Sequence, residues 1–277
     1  NSRPFLTAAP AVSIPDAAKS IATALFPAGS VPLRYAFSLN FILFSLLRTK
    51  LNKMLTTAGY YHAMALGTGL WATMGWRGWT LNVVYLFLGQ AVTKVKFEEK
   101  TKLGIAEGRG GRRGPENVWG SALTCLICAI ISSRGKTVFG VSPALFNLAC
   151  VASIATKLSD TFASEIGKAY GKTTFLITTF ERVEAGTEGA VSAEGTAAAM
   201  VGGLLISLYG YATGLISSWN GVGISTIAAF LATNAESLIG ATMQGKSGLD
   251  WMTNEVVNFI NTVIGAGLAI GGGKLLL

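Results

Sequence analysis

Asp160 and Glu165, followed by Lys168 and Lys172, lie in one polar passage, Ser159-Asp-Thr-Phe-Ala-Ser-Glu-Ile-Gly-Lys-Ala-Tyr-Gly-Lys172. A second passage, Gly186-Thr-Glu-Gly-Ala-Val-Ser-Ala-Glu-Gly-Thr196, follows it. Both are set between stretches apolar enough to cross a bilayer, where acidic residues are costly and so mark a site. Carboxylates that hold a divalent metal, with lysines and backbone amides that hold phosphates, are the groups needed to move a phosphoryl group. If the helix entering this passage runs on through Ser159, then Asp160, Ser164 and Lys168 share one face at i, i+4 and i+8. Glu165 then lies about 140° away, so Mg²⁺ held between this helix and a neighbour meets both carboxylates. Glu188 and Glu236, the latter beside Asn234 near the end of an apolar run, are further metal-ligand candidates.

Anion-handling groups surround these acids. Gly108-Arg-Gly-Gly-Arg112-Arg113-Gly-Pro-Glu-Asn117 carries three guanidinium groups on a glycine-rich loop, suited to bidentate contact with phosphate. Gly186, Thr187 and Glu188 lead to Ser192, which is placed to cap a helix starting at Ala193, and a helix N-terminus is an anion site. Lys168 and Lys172 add point charges. Asn254, Asn258 and Asn261 recur at i, i+4 and i+7 with Glu255 adjacent, a polar stripe that should face the bundle interior and position an acceptor. Gly240-Ala-Thr-Met-Gln-Gly-Lys-Ser247 matches the pattern of a phosphate-binding P-loop. Its lead-in reads as a spanning helix rather than a strand, so the match is taken as chance.

The elements that must position these residues are membrane helices. Mean hydropathy of +0.49, with 51% apolar and 13% charged residues, departs from soluble domains, where about a quarter of residues are charged. Apolar runs predict seven or eight spans, at about Val31 to Leu47, Ala58 to Gly75, Trp79 to Val92, Val118 to Ser133, Val141 to Leu158, Ala193 to Ser217, Val222 to Met243 and Met252 to Ile270. The predicted architecture is an all-α polytopic membrane domain over residues 31–277. Residues 1–30 read as a surface or amphipathic segment, with Ile14, Ala17, Ala18, Ile21, Ala22 and Leu25 at helical spacing. A first residue of Asn rather than Met suggests a processed chain.

The 22 basic and 14 acidic residues leave a formal charge of +8. No basic stripe is interleaved with aromatics, which argues against a nucleic-acid partner. His62 is the only histidine, which excludes a His-rich metal site. Cys125, Cys128 and Cys150 all fall within apolar runs and read as buried, inert thiols. Counting spans places residues 93–117, 159–192 and 245–251 on one side of the membrane. That side holds most of the Lys and Arg and is therefore expected to face the cytosol or, in a plastid, the stroma.

The blocks Arg112-Arg-Gly-Pro-Glu-Asn117-Val-Trp-Gly-Ser121, Thr156-Lys-Leu-Ser-Asp160, Ser164-Glu-Ile-Gly-Lys-Ala-Tyr-Gly-Lys172, Gly186-Thr-Glu-Gly-Ala-Val-Ser-Ala-Glu-Gly195, Glu236-Ser-Leu-Ile-Gly-Ala-Thr242 and Trp251-Met-Thr-Asn-Glu-Val-Val-Asn258 together resemble the plastid phytyl-phosphate kinases, part of a wider family of integral membrane proteins. The resemblance covers Gly108 to the C-terminus. It implies phosphorylation of an isoprenoid phosphate, phytyl phosphate, with CTP as co-substrate and Mg²⁺, in a chloroplast membrane, feeding tocopherol and phylloquinone synthesis. Residue roles rest on the reading above. Asp160, Glu165 and Lys168 are the catalytic candidates; Asp160, Glu165, Glu188 and Glu236 are the metal ligands. Arg112, Arg113, Asn117, Lys172, Gly186, Thr187, Glu188, Ser192, Asn254, Glu255 and Asn258 are expected to bind substrate or nucleotide. The competing expectation is a non-catalytic structural subunit associated with a larger membrane complex, such as a photosynthetic one. A transporter is disfavoured because the acids cluster at one face rather than at the midplane.

Overall fold

The structure, a computed structural model, describes residues 26–277. The amphipathic periodicity between Ile14 and Leu25 lies outside them. The fold is all-α: α1 (Leu33–Leu51), α2 (Thr57–Thr93), α3 (Phe97–Lys102), α4 (Pro115–Ser133), α5 (Pro143–Tyr170), α6 (Ala193–Ala212), α7 (Trp219–Met243) and α8 (Asn254–Leu276). Among the described residues the strands are one two-residue antiparallel pair, β1 (Phe175–Leu176) with β2 (Ala190–Val191), in register Phe175 to Val191. Among the described residues four helices, α4, α6, α7 and α8, are long and apolar enough by themselves to cross a membrane.

The second and third apolar runs are the two arms of α2, which reverses at Gly75. That residue has φ 60° and ψ −151°. A Cβ on Gly75 would lie 1.9 Å from the Pro27 carbonyl oxygen, so only glycine fits this turn. The arms are antiparallel: Trp79 Nε1 donates to Asn40 Oδ1 (2.7 Å) beside the first arm, and Gln90 Nε2 returns to Gly111 O (2.7 Å) at the arm's entry. Asn40 also donates to Met64 O and Thr68 Oγ1, tying α1 to the hairpin. His62 accepts from Trp119 Nε1 at 2.8 Å, joining the hairpin to α4.

The fifth helix is the axis of the bundle. Every residue from Leu148 through Thr161 is buried, with α2, α4, α6, α7 and α8 packed around it. Small residues permit that approach: a Cβ on Gly202 would meet Leu158 O at 2.9 Å, one on Gly195 would meet Ala163 O at 2.7 Å, and one on Gly265 would strike Thr156. Because α5 faces protein rather than lipid, it carries Lys157, Ser159 and Asp160 at a depth that a lipid-facing helix would not tolerate. It also runs about three turns beyond the predicted end at Leu158, to Tyr170.

Cys125 on α4 and Cys150 on α5 meet sulfur to sulfur (Cα–Cα 4.2 Å), whereas Cys128 is buried and unpaired. The expectation of buried, inert thiols is therefore corrected for Cys125 and Cys150. Helix ends alternate so that residues 94–114, 171–192 and 244–253 gather at one end. The links 134–142 and 213–218 lie at the other, where Lys274 Nζ approaches Gly140.

Candidate functional site

At the charged end, α5 to α8 part and the loops fold over the gap, bounding a partly open polar cavity of about 300 Å³. The floor comes from α5, whose residues Asp160, Ser164 and Lys168 line it in the i, i+4, i+8 register expected from the sequence. Lys157, one turn deeper, donates to Asp160 Oδ2 at 2.5 Å and to Asn258 Oδ1 on α8 at 2.8 Å. The Asn254/Asn258 stripe reaches the cavity, while Asn261, fully buried, has neither amide atom hydrogen-bonded among the described residues.

The loop before α6 supplies the second wall. Ser192 caps α6 by accepting from the Gly195 N–H (3.1 Å), and Ser192, Gly195 and Thr196 all face the cavity. The N-terminus of α6 therefore presents its positive dipole end there, and that of α8 does so at Asn254. Glu188 is held over the cavity because Gly189, at φ 75°, lies flat on α7. A Cβ on Gly189 would sit 2.4 Å from Ala241 Cβ, and the Glu188 carboxylate lies against Gly240. Burial pushes the Glu188 carboxyl above the ordinary carboxylate range, Lys168 pulls it back, and Asp160 raises it further. Glu236 of α7 also lines the cavity, with no hydrogen bond or ion pair among the described residues and within electrostatic reach of Asp160, Glu188, Lys157 and Lys168.

Arg113 enters from the first loop. Its backbone is clamped to the start of the hairpin, N–H to Met54 O (2.9 Å) and carbonyl to Thr56 N–H (3.0 Å). Its guanidinium touches Glu107 (3.6 Å) and Thr93 Oγ1 (3.3 Å).

Not every candidate arrives at the cavity free. Glu165 lines it, but its carboxylate is engaged by Lys100 of α3, both side chains being almost fully buried, and Lys100 also donates to Thr93 O. The pair fastens α3 onto α5 and leaves Glu165 poorly placed to ligate a metal. Asn117 is buried beneath the loop, where Oδ1 accepts from Arg109 Nη2 (2.6 Å) and from the Gly114 N–H (2.9 Å), and Nδ2 faces Glu255 Oε1 (3.5 Å). Asn117 and Glu255 thus hold α4, α8 and the arginine loop together rather than lining the cavity. Arg112 and Lys172 are exposed outside it, and Gly186 and Thr187 lie at its rim beside Glu188. Lys157 carries more of the site, and Lys100 more of its support, than the sequence suggested. A lysine inside an apolar helix is itself a signal, whereas Lys100 gives none before α3 is seen to fold inward. Gly240–Ser247 forms no phosphate cradle: α7 leads into it and its end is an exposed turn.

Among the described residues no three acidic, Cys or His side chains converge tightly enough to hold a metal by themselves. Mg²⁺ usually takes one or two carboxylates and completes its shell with water and substrate phosphate. Asp160, Glu188 and Glu236 beside two helix N-termini fit an ion whose shell is completed by a phosphate ligand better than one held by the protein alone.

Residues 40–266 match the integral membrane protein family DUF92. The chain belongs to the DUF92 family. Its relatives include an uncharacterized membrane protein of Synechocystis, 54% identical over 242 residues, covering 87% of this chain and 91% of that one. Protein VTE6, chloroplastic, of Arabidopsis thaliana is 41% identical over 248 residues, 89% of this chain and 73% of that protein. An uncharacterized membrane protein of Methanocaldococcus jannaschii is 33% identical over 219 residues, 79% of this chain and 86% of that one. No solved structure matches the chain. The DUF92 match begins well before Gly108, so the likeness includes α1 and the hairpin, where the sequence offered no motif.

Proposed function

We propose that this multi-pass membrane protein is a phosphotransferase that moves the γ-phosphoryl group of a nucleoside triphosphate, CTP, onto an isoprenoid monophosphate such as phytyl phosphate, giving the diphosphate. The observation that carries the reading is one cavity at the positive end of the bundle. There Asp160, Glu188 and Glu236 face Lys157, Lys168 and Arg113 across the N-termini of α6 and α8. The motif resemblance to the plastid phytyl-phosphate kinases supplies the substrate class, and the 41% identity to the chloroplastic protein VTE6 is in keeping with it.

In this reading an anionic oxygen of the isoprenoid phosphate attacks the γ-phosphorus while the bond to the β-phosphate oxygen breaks, and CDP leaves with that electron pair. No side-chain nucleophile is needed, because the attacking oxygen is already charged. Lys168 and the α6 N-terminus neutralise phosphate charge, and Arg113 holds the acceptor phosphate at the rim. Lys157 fixes Asp160 and Asn258 in place. Asp160, with Glu188 or Glu236, would hold Mg²⁺, which would supply charge neutralisation for the phosphates. The site faces the cytosol or stroma, in keeping with the Lys and Arg at that end. A plastid location rests on the chloroplastic relative; the cyanobacterial and archaeal relatives extend the family beyond plastids.

The test is product analysis with purified protein in lipid nanodiscs supplied with γ-³²P-CTP, Mg²⁺ and phytyl phosphate. Label in phytyl diphosphate with equimolar CDP supports the reading. Label remaining in CTP overturns it and leaves a non-catalytic subunit as the better account.

A further inference from the structure

A second cavity lies beside the first and differs from it in chemistry. It occupies about 80 Å³ between α1, the two arms of the α2 hairpin and α4, and its walls include Phe44, Leu66, Leu70, Trp79, Val83 and Val118. Its lining runs from Leu55, level with the arginine loop, to Leu70 on the first arm of the hairpin. The slot is half-open, so a hydrocarbon chain can enter it from outside the helix bundle and lie against its large apolar side chains. At about half the roughly 150 Å³ of a cavity that admits benzene, it takes one slender chain rather than a ring.

The two cavities share one residue, Arg113. Its guanidinium has five N–H donors, and the described residues engage it only through Glu107 and Thr93. Behind it Tyr85, bonded to Ser121 Oγ (3.1 Å), lines the apolar slot while standing within electrostatic reach of Lys157, which lines the polar cavity. A molecule at this junction therefore meets a guanidinium on its polar side and an apolar slot pointing into the bilayer. That complementarity fits an anionic head on a single hydrocarbon chain.

We propose that the slot between α1, the α2 hairpin and α4 holds the isoprene units next to the phosphate of the acceptor, with Arg113 at the junction of head and tail. The proposal rests on the phosphotransferase reading for the identity of the head. It gives the N-terminal third of the chain, which carries no polar motif, the task of selecting the tail. Longer tails continue past the hairpin into lipid, so selectivity is set by the width of the slot near the head rather than by total chain length.

The experiment uses the full chain in nanodiscs and an isoprenyl monophosphate carrying a diazirine in the unit adjacent to the phosphate. Irradiation should give saturable labelling within residues 63–86 or 118–122, displaced at least tenfold better by unlabelled isoprenyl monophosphate than by the corresponding alcohol or by inorganic phosphate. Ala63→Phe, which fills the slot, should lower that labelling at least fivefold and leave nucleotide binding within twofold. Saturable labelling on α6 or α7, no saturable labelling, or labelling unchanged in Ala63→Phe overturns the proposal. If that variant does not fold, the wild-type map decides alone. Transfer from CTP with labelling outside the slot removes this inference and keeps the phosphotransferase, whereas labelling in the slot without transfer does the reverse.

Discussion

Lys157 and Asp160 stand one turn apart on α5 and form an ion pair, Nζ to Oδ2 2.5 Å, on a stretch enclosed by five other helices. Lys157 also donates to Asn258, so the pair locks α5 to α8 and aims Asp160 at the cavity. Desolvation largely cancels the Coulombic gain of such a pair, and apolar residues would do as well for stability. Its presence at the floor of a polar cavity is better explained by work done on a ligand.

Glu165 and Lys100 make the contrasting pair, fastening α3 to α5. Glu165→Gln, which keeps an acceptor for Lys100, should leave transfer within tenfold of wild type, a barrier change below about 1.4 kcal/mol. Lys100→Met strands a buried carboxylate and should cost about 3–5 kcal/mol of stability, with much of it regained in Lys100→Met/Glu165→Leu. Thermal unfolding of the three variants in one detergent checks this, and loss of transfer in Glu165→Gln with an unchanged melting temperature would restore Glu165 to the metal site.

Gly189 sets the position of Glu188. A side chain there meets Ala241 at 2.4 Å while the backbone sits at φ 75°, so Gly189→Ala should lift the loop off α7. The expected outcome is a KM for nucleotide raised at least tenfold with the helical circular dichroism unchanged. An unchanged KM would show that Glu188 does not act from this loop.

Lys246 lies in an exposed turn after α7 rather than in a phosphate cradle. Lys246→Ala should reduce transfer less than tenfold, under about 1.4 kcal/mol. A loss of several orders of magnitude in steady-state rate would mean that Gly240–Ser247 binds phosphate after all.

The membrane topology is testable independently of chemistry. With Cys125, Cys128 and Cys150 replaced, single cysteines at Leu103, Thr187 and Ser247 should react with an impermeant maleimide from one face, and one at Lys136 from the other. Labelling of Leu103 and Thr187 from opposite faces would separate Arg113 from Asp160 and dismantle the shared cavity.

The sequence showed most clearly what the bilayer dictates. Long apolar runs bounded by charge announced the helices from Pro115 onward, and Asp160, Ser164 and Lys168 were readable as one face because helical periodicity is local. The Ser192 cap was equally local. Pairings across the fold were not legible: Asn117 and Glu255 are separated by 138 residues, and Lys100 reaches Glu165 only because α3 turns inward. Residue types suited to phosphate recur in both roles, so Arg112, Lys172 and Asn117 looked like ligand groups until their placement separated them. The hairpin slot was invisible for the opposite reason, since its walls are ordinary apolar residues whose meaning lies in the gap they leave.

The most direct measurement compares wild type, Asp160→Asn and Glu188→Gln for ³²P transfer from CTP to phytyl phosphate in nanodiscs under single-turnover conditions. Asparagine still accepts from Lys157, so the Asp160→Asn protein should remain folded and in the membrane, yet lose at least a hundredfold in rate, about 2.7 kcal/mol or more of transition-state stabilisation. Glu188→Gln should lose at least tenfold. Transfer by Asp160→Asn at a near-normal rate would contradict the assignment of this cavity as the place where the phosphoryl group moves.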